Sequence, residues 1–323
     1  GGCNITIKSG SFSRIIAGCR NGKLNTTSHN VFGSESDYFK VNIDVDIENS
    51  TSTPSGYSYD IALLCGGQTD GSIYAASSIN VNAGTVKLLT GSSIGYPRDC
   101  GNGGVNNDYV GVLDVNVSGG TVENFYGGCL GRYVSGKDLT VVDSCFKHSS
   151  SIVKAENRGS TSDINISFTG GTIESDVYAA GAGGTTGTAT NPVSVSLAVS
   201  GDTIIKGSVY GGGFGEAPSV TDAANASTQA GTLYGDTSVS ISGGTIIGSV
   251  YGGGAGTSTY LTDTTKRALA QVHGNTSVSI SGGAVSGSVF AAGDGVESAD
   301  APDMALVTGN ATLVISGGTI SGS

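Results

Sequence analysis

The densest set of side chains able to do chemistry is "VNIDVDIE", residues 41–48. Asp44, Asp46 and Glu48 alternate with Val45 and Ile47, so in a strand all three carboxylates project from one face, about 6.8 Å apart per step. Such a row could hold Ca²⁺ through oxygen ligands. It could also supply the acid/base pair that sugar hydrolysis or lyase chemistry needs. Asn80, Asn82, Asp114 and Asn116 would extend the face if later strands stack on this one. A lyase needs a basic residue as well, and Lys8 is the obvious one. The plainer reading, a solvated face of Asn/Asp ladders, is preferred.

Other chemistries find less support. The runs "GGGFG" and "GGGAG" suggest a phosphate loop, yet no Lys follows either and no helical pattern begins. His29, His148 and His273 lie in different segments, and no G-x-S-x-G elbow occurs. No metal or cofactor is implied.

The carboxylates must be positioned by strands, and composition points the same way. Of 323 residues 55 are Gly, only 5 are Pro and none is Trp, with no collagen period. Residues 1–160 carry 12 Lys/Arg against 14 Asp/Glu, or -2, while residues 161–323 carry 3 against 12, or -9, summing to the net -11. So acidic a C-terminal half repels phosphate backbones, which argues against a nucleic-acid partner. No apolar run approaches the ~18 residues needed to span a bilayer, and no basic amphipathic segment points to its surface.

Self-similarity organises the chain. "VSISGGTIIGSVYGGG" (239–254) almost recurs as "VSISGGAVSGSVFAAG" (278–293), and looser copies begin near residues 5, 79, 113, 164, 195 and 313. Each clean copy reads as three short strands with glycines at the bends. The central Thr or Ala at 121, 172, 203, 245, 284 and 319 is spaced by 51, 31, 42, 39 and 35 residues. A propeller blade is more constant, at about 40–45 residues. A nearly invariant unit with variation in one stretch fits a solenoid coil that extrudes a loop at one corner. The expected fold is all-β: a right-handed, single-stranded parallel β-helix of about eight coils. It forms one domain, with irregular, Cys-containing coils over 1–159 and regular coils over 160–323.

Stacking turns equivalent positions into columns. Ile7, Ile43 or Val45, Val81, Val115 or Val117, Ile166, Ile241, Ile280 and Ile315 are expected to form an aliphatic core ladder. Ile16, Leu64, Leu89, Tyr126, Tyr178, Tyr210, Tyr251 and Phe290 are expected to form a second, packed one. Thr121, Thr172, Thr203, Thr245 and Thr319 make a single file beside the glycines. All six cysteines lie within the first 145 residues, without a CxxC pair. Cys19 and Cys129 would be some three strands apart, about 14 Å, too far for a disulfide. Local clips Cys65–Cys100 and Cys129–Cys145 are possible pairings, with free buried thiols the alternative.

The motif "SGGTIxGSVYGGG" resembles the parallel β-helix repeats of large bacterial cell-surface, adhesin-like proteins of Gram-positive gut commensals. The likeness is close over 160–323 and loose over 1–159. It implies an exported, wall-attached or secreted protein that binds host molecules without catalysis. Some surface proteins of such bacteria bind immunoglobulin variable domains as superantigens, which makes immunoglobulin a candidate partner beside other host proteins and glycans. The last copy stops at Ser323 just after its second strand, so the remainder of a longer chain is an expected neighbour.

Loops on a rigid scaffold are where binding residues usually sit. Arg132 and Tyr133 in the first long loop, and Phe214, Tyr260, Leu261 and Met304 in the later ones, are the candidate ligand contacts. The expected function is a non-catalytic surface binding module. A polysaccharide lyase or glycoside hydrolase using Asp44, Asp46 and Asp114 is one alternative, and a structural stalk is the other.

Overall fold

Val or Ile alternating with Ser, Asn or Asp commits a segment to an extended strand with one apolar face. The computed structural model is accordingly all-β. It describes residues 2–18, 39–48, 59–67, 73–92, 109–130, 133–135, 140–142, 152–153, 163–182, 185–190, 192–215, 230–256, 270–295 and 303–322. No helix occurs among the described residues, and so none there could cross a membrane.

The first sheet takes nine parallel strands in chain order: Gly2–Ile7, Phe39–Asp46, Ile73–Ala83, Tyr109–Val117, Ile164–Phe168, Val195–Val199, Thr237–Ile241, Thr276–Ile280 and Ala311–Ile315. Ile152–Val153 pairs with the start of the fourth. After each visit the chain passes to a second parallel sheet. There Thr121–Tyr126 runs unbroken, whereas the regular copies split into two short pieces, such as Thr245–Ile246 and Val250–Tyr251. Cys129–Leu130, Gly181–Ala182, Phe214–Gly215 and Ala255–Gly256 form a third parallel sheet. A short fourth pairs Leu233–Tyr234 with Val272–His273. Tyr133–Ser135 with Thr140–Val142 is the one antiparallel pairing among the described residues.

The inward columns make one core. Ile7, Val45, Val81, Val117, Phe168, Val199, Ile241, Ile280 and Ile315 are in register, and all but the last are buried. Burying such a side chain contributes about 1.5–3 kcal/mol. Two threonines that enter the interior find partners: Thr237 and Thr276 donate their hydroxyls to the carbonyls of Gly252 and Ala291.

The corners explain two kinds of glycine. Gly244 sits at φ +79°, with Gly120, Gly171, Gly283 and Gly318 alike at the same bend, a conformation that side chains resist. Gly252 has a different constraint, because a Cβ there would run into the carbonyl oxygen of Ala291 on the neighbouring strand.

Register corrects three expected columns. Ile166 stands beside Leu197 and Val115, one column over, and Phe168 fills the place expected for it. Leu64 and Leu89 pair with Ile15 and Phe125, so they belong to the inward column that continues as Val177, Val209 and Val250. The column leading to Tyr126 is instead Ile16, Cys65 and Thr90. A one-residue slip exchanges the faces of a strand, so the tyrosines lie on the side of the second sheet opposite Leu64. Thr203 leaves the threonine file, because "SGDT" places one more residue between Val199 and the next strand. Ile204 pairs with Thr172 and Thr245, and Thr203 turns its hydroxyl to the Ser200 carbonyl at 3.0 Å.

Candidate functional site

The carboxylate row begins as expected: Val41, Ile43, Val45 and Ile47 are buried, while Asp44 and Asp46 are half-exposed and Glu48 is exposed. Stacking then engages the first carboxylate of the row. Asn80 Nδ2 donates to Asp44 Oδ1 at 2.8 Å, and Asn116 Nδ2 to Asn80 Oδ1 at 3.0 Å. In the adjacent column Asn165 Nδ2 donates to Asp114 Oδ1 at 2.9 Å, and Asn42 Nδ2 to Asn4 Oδ1 at 2.7 Å. Register slips between Val45 and Asp46, leaving Asp46 opposite Ala83. Asp44 and Asp114 lie two strands and two residues apart, roughly 12 Å by strand spacing and rise. Paired glycosidase carboxylates stand at most about 9.5 Å apart. No group of three or more His, Cys, Asp or Glu suited to a metal occurs among the described residues.

The tyrosine column is the most ordered chemical feature. Tyr126, Tyr178, Tyr210, Tyr251 and Phe290 stack ring on ring, with centroids 5.8, 5.1, 4.9 and 4.9 Å apart and planes within 12° of parallel. Parallel register sets this spacing, since equivalent residues recur at about the 4.8 Å interstrand distance. Phe214 in the third sheet stacks on Tyr178 at 4.8 Å, and Ala255 completes the cluster. Two phenols have carboxylate acceptors. Tyr178 donates to Asp176 Oδ2 at 3.1 Å, and Tyr210 to Asp294 Oδ2 at 3.3 Å. Burial, then the charge of Asp176, pushes the Tyr178 phenol far up; burial, then Asp294, does the same to Tyr210. Tyr251 is raised by burial and by Asp294.

Asp176 also fixes the bend between the two pieces of the second sheet. Its Oδ1 accepts from the Ser208 backbone N–H at 2.7 Å, and Ser208 Oγ and Ser249 Oγ repeat the contact toward the N–H of Ser249 and Ser288. Neither Asp176 nor Asp294 was expected at a site. "S-D-V-Y" in place of "G-S-V-Y" is the sequence signal for the first, and the second has none, because its partner is 84 residues away.

The ligand contacts expected from sequence separate. Arg132, Tyr260 and Leu261 lie outside the described residues, and Tyr133 is in the antiparallel pair. Phe214 is half-buried against Tyr178. Met304 is buried, packed so closely over Gly256 that a Cβ there would meet its side chain.

The cysteines also depart from expectation. Cys65 is a free thiol rather than half of a Cys65–Cys100 clip: fully buried, it donates to the Ser92 carbonyl at 3.0 Å, and burial pushes its pKa up to about 12. Cys129 is likewise a buried thiol, its Sγ 3.9 Å from the Thr185 carbonyl oxygen. Cys100 and Cys145 lie outside the described residues.

The variable intervals beyond Ala182 share one place in the fold. Leu130, Ala182, Phe214 and Ala255 are in register in the third sheet, and Ala255 bridges to Asp294. The chain returns at Thr186, Leu233, Val272 and Val307, also in register. From Ala182 onward, the stretches that differ in length and composition therefore fall between the same two columns, whereas residues 49–58 fall between the first and second sheets. No protein-family model matches this chain, and neither does any curated protein or solved structure.

Proposed function

We propose that the chain is a right-handed, single-stranded parallel β-helix and serves as a non-catalytic binding module of a bacterial surface protein. It engages a host protein or glycan through the corner that carries the variable intervals. One observation carries this reading: beyond Ala182 the intervals after the third sheet begin and end at fixed columns while their sequences change. A regular scaffold with one variable edge suits recognition, since loops can alter without disturbing the register. Handedness follows the rule for parallel crossovers. Wall attachment or secretion, and an immunoglobulin among the partners, rest on the resemblance of "SGGTIxGSVYGGG" to adhesin-like repeats. Use of the Asp44 face in amide ladders favours binding over sugar cleavage.

The test replaces residues 257–269 by a short Gly-Ser link. Immobilised wild-type protein and variant are then compared for capture of purified mucin, immunoglobulin and matrix proteins. Binding to one of these by the wild type, lost in the variant with its melting unchanged, is expected. Equal capture by both, or capture of none, would overturn the reading.

A further inference from the structure

From residue 161 onward the chain contains no Trp, no Cys and a single Met. Its readily oxidised side chains are therefore tyrosines, and three of the five there stand in one column: Tyr178, Tyr210 and Tyr251. We propose that Tyr178 and Tyr210, each with its own carboxylate, form a built site for one-electron oxidation that shares an oxidising equivalent between two stacked rings.

Three features support it. The rings are 5.1 Å apart and 12° from parallel, in contact for electron exchange. Both are at least nine-tenths buried, and Tyr126 and Tyr251 cover their outer faces. A radical held there is kept from dimerising with one on another molecule. Each hydroxyl already points at a proton acceptor, Asp176 or Asp294. Phenols held this far up in pKa stay protonated, so losing an electron requires passing the proton to that carboxylate. A common structural role alone would need only the stack, because Phe290 fills the same column without a hydroxyl.

The steps balance. A diffusible one-electron oxidant accepts an electron from Tyr210 and is reduced by one. The Tyr210 O–H bond breaks and its proton moves to Asp294, leaving a neutral radical beside a neutral carboxylic acid. An electron from Tyr178 then refills Tyr210, which takes back the proton from Asp294. The Tyr178 proton passes to Asp176, and the radical now rests on Tyr178.

The full chain is oxidised with photogenerated ruthenium(III) tris-bipyridyl, frozen, and read by electron paramagnetic resonance. A long-lived tyrosyl signal is expected in the wild type and in Tyr234→Phe. It should be lost when Tyr178→Phe and Tyr210→Phe are combined, with circular dichroism confirming the fold. Asp294 is exposed, so Asp294→Asn removes one acceptor without unfolding the chain and should shorten the signal's lifetime. This variant decides the matter should the double one not fold. The same signal and decay in wild type and Asp294→Asn, or in wild type and a folded double variant, would overturn the proposal.

Discussion

The hydroxyl of Tyr210 donates to Oδ2 of Asp294 across 84 residues of chain. The contact ties the second sheet to the residue that continues the column of the third, at the corner where the variable intervals begin. Burial first, and then the charge of Asp294, holds the phenol in its neutral form.

Stability at alkaline pH follows from the burial of this column, to which the carboxylates add. Tyr178, Tyr210 and Tyr251 all ionise at higher pH when folded than when unfolded. Above the ordinary tyrosine value near 10 the unfolded chain therefore binds fewer protons than the folded one, and stability falls as pH rises. The contribution is complete below about pH 10 and is lost above it. Urea melts over this range should show the decline, and Asp294→Asn should make it shallower.

Substitution at a corner should cost more than substitution on a face. Gly252→Ala drives a methyl into the Ala291 carbonyl, and a loss of about 2–3 kcal/mol is expected in urea melts. Ser240→Ala, on an exposed outward position of the first sheet, should stay within about 0.5 kcal/mol.

The amide ladder should resist a second carboxylate. Asn80→Asp removes the donor to Asp44 and sets like charges on adjacent strands, about 4.8 Å apart. A destabilisation of about 1 kcal/mol is expected at low salt. It should shrink as salt is added.

Cys65 should be chemically inert while folded. With its pKa pushed up to about 12, it carries on the order of 10³ times less thiolate at about pH 8 than an ordinary cysteine. Mass spectrometry after brief iodoacetamide treatment should find Cys65 unmodified in native protein and alkylated in urea.

Local pattern was enough to read the strands, because alternation such as Val239-Ser240-Ile241 has only one solution that buries the apolar face. Column membership was harder. Counting back from the first glycine of "LLCGG", "LLTGS" and "FYGGC" places Cys65, Thr90 and Tyr126 together. Matching by apolar type instead aligns Leu64 and Leu89 with Tyr126, one residue out and on the wrong face. The extra residue at Asp202-Thr203 was invisible to a count of central threonines, since a corner can absorb it without breaking the strands on either side. Asp294 was the least legible, because its partner is fixed by stacking and not by sequence distance. The acidic row was legible as a face, and the amide ladder expected along it forms where Asn80 and Asn116 take up the carboxylate of Asp44 and the carbonyl beside it.

Parallel register has a mechanical consequence. The hydrogen bonds between successive strands of the first sheet all run along the stacking direction, so tension applied along it loads them in series. Beside them the backbone bonds of the second and third sheets and the side-chain columns, above all the ring stack and the asparagine ladder, share the strain in parallel. A chain pulled from its two ends should lengthen in discrete steps, parting first where the columns are least continuous and leaving the regular strands beyond residue 163 until last.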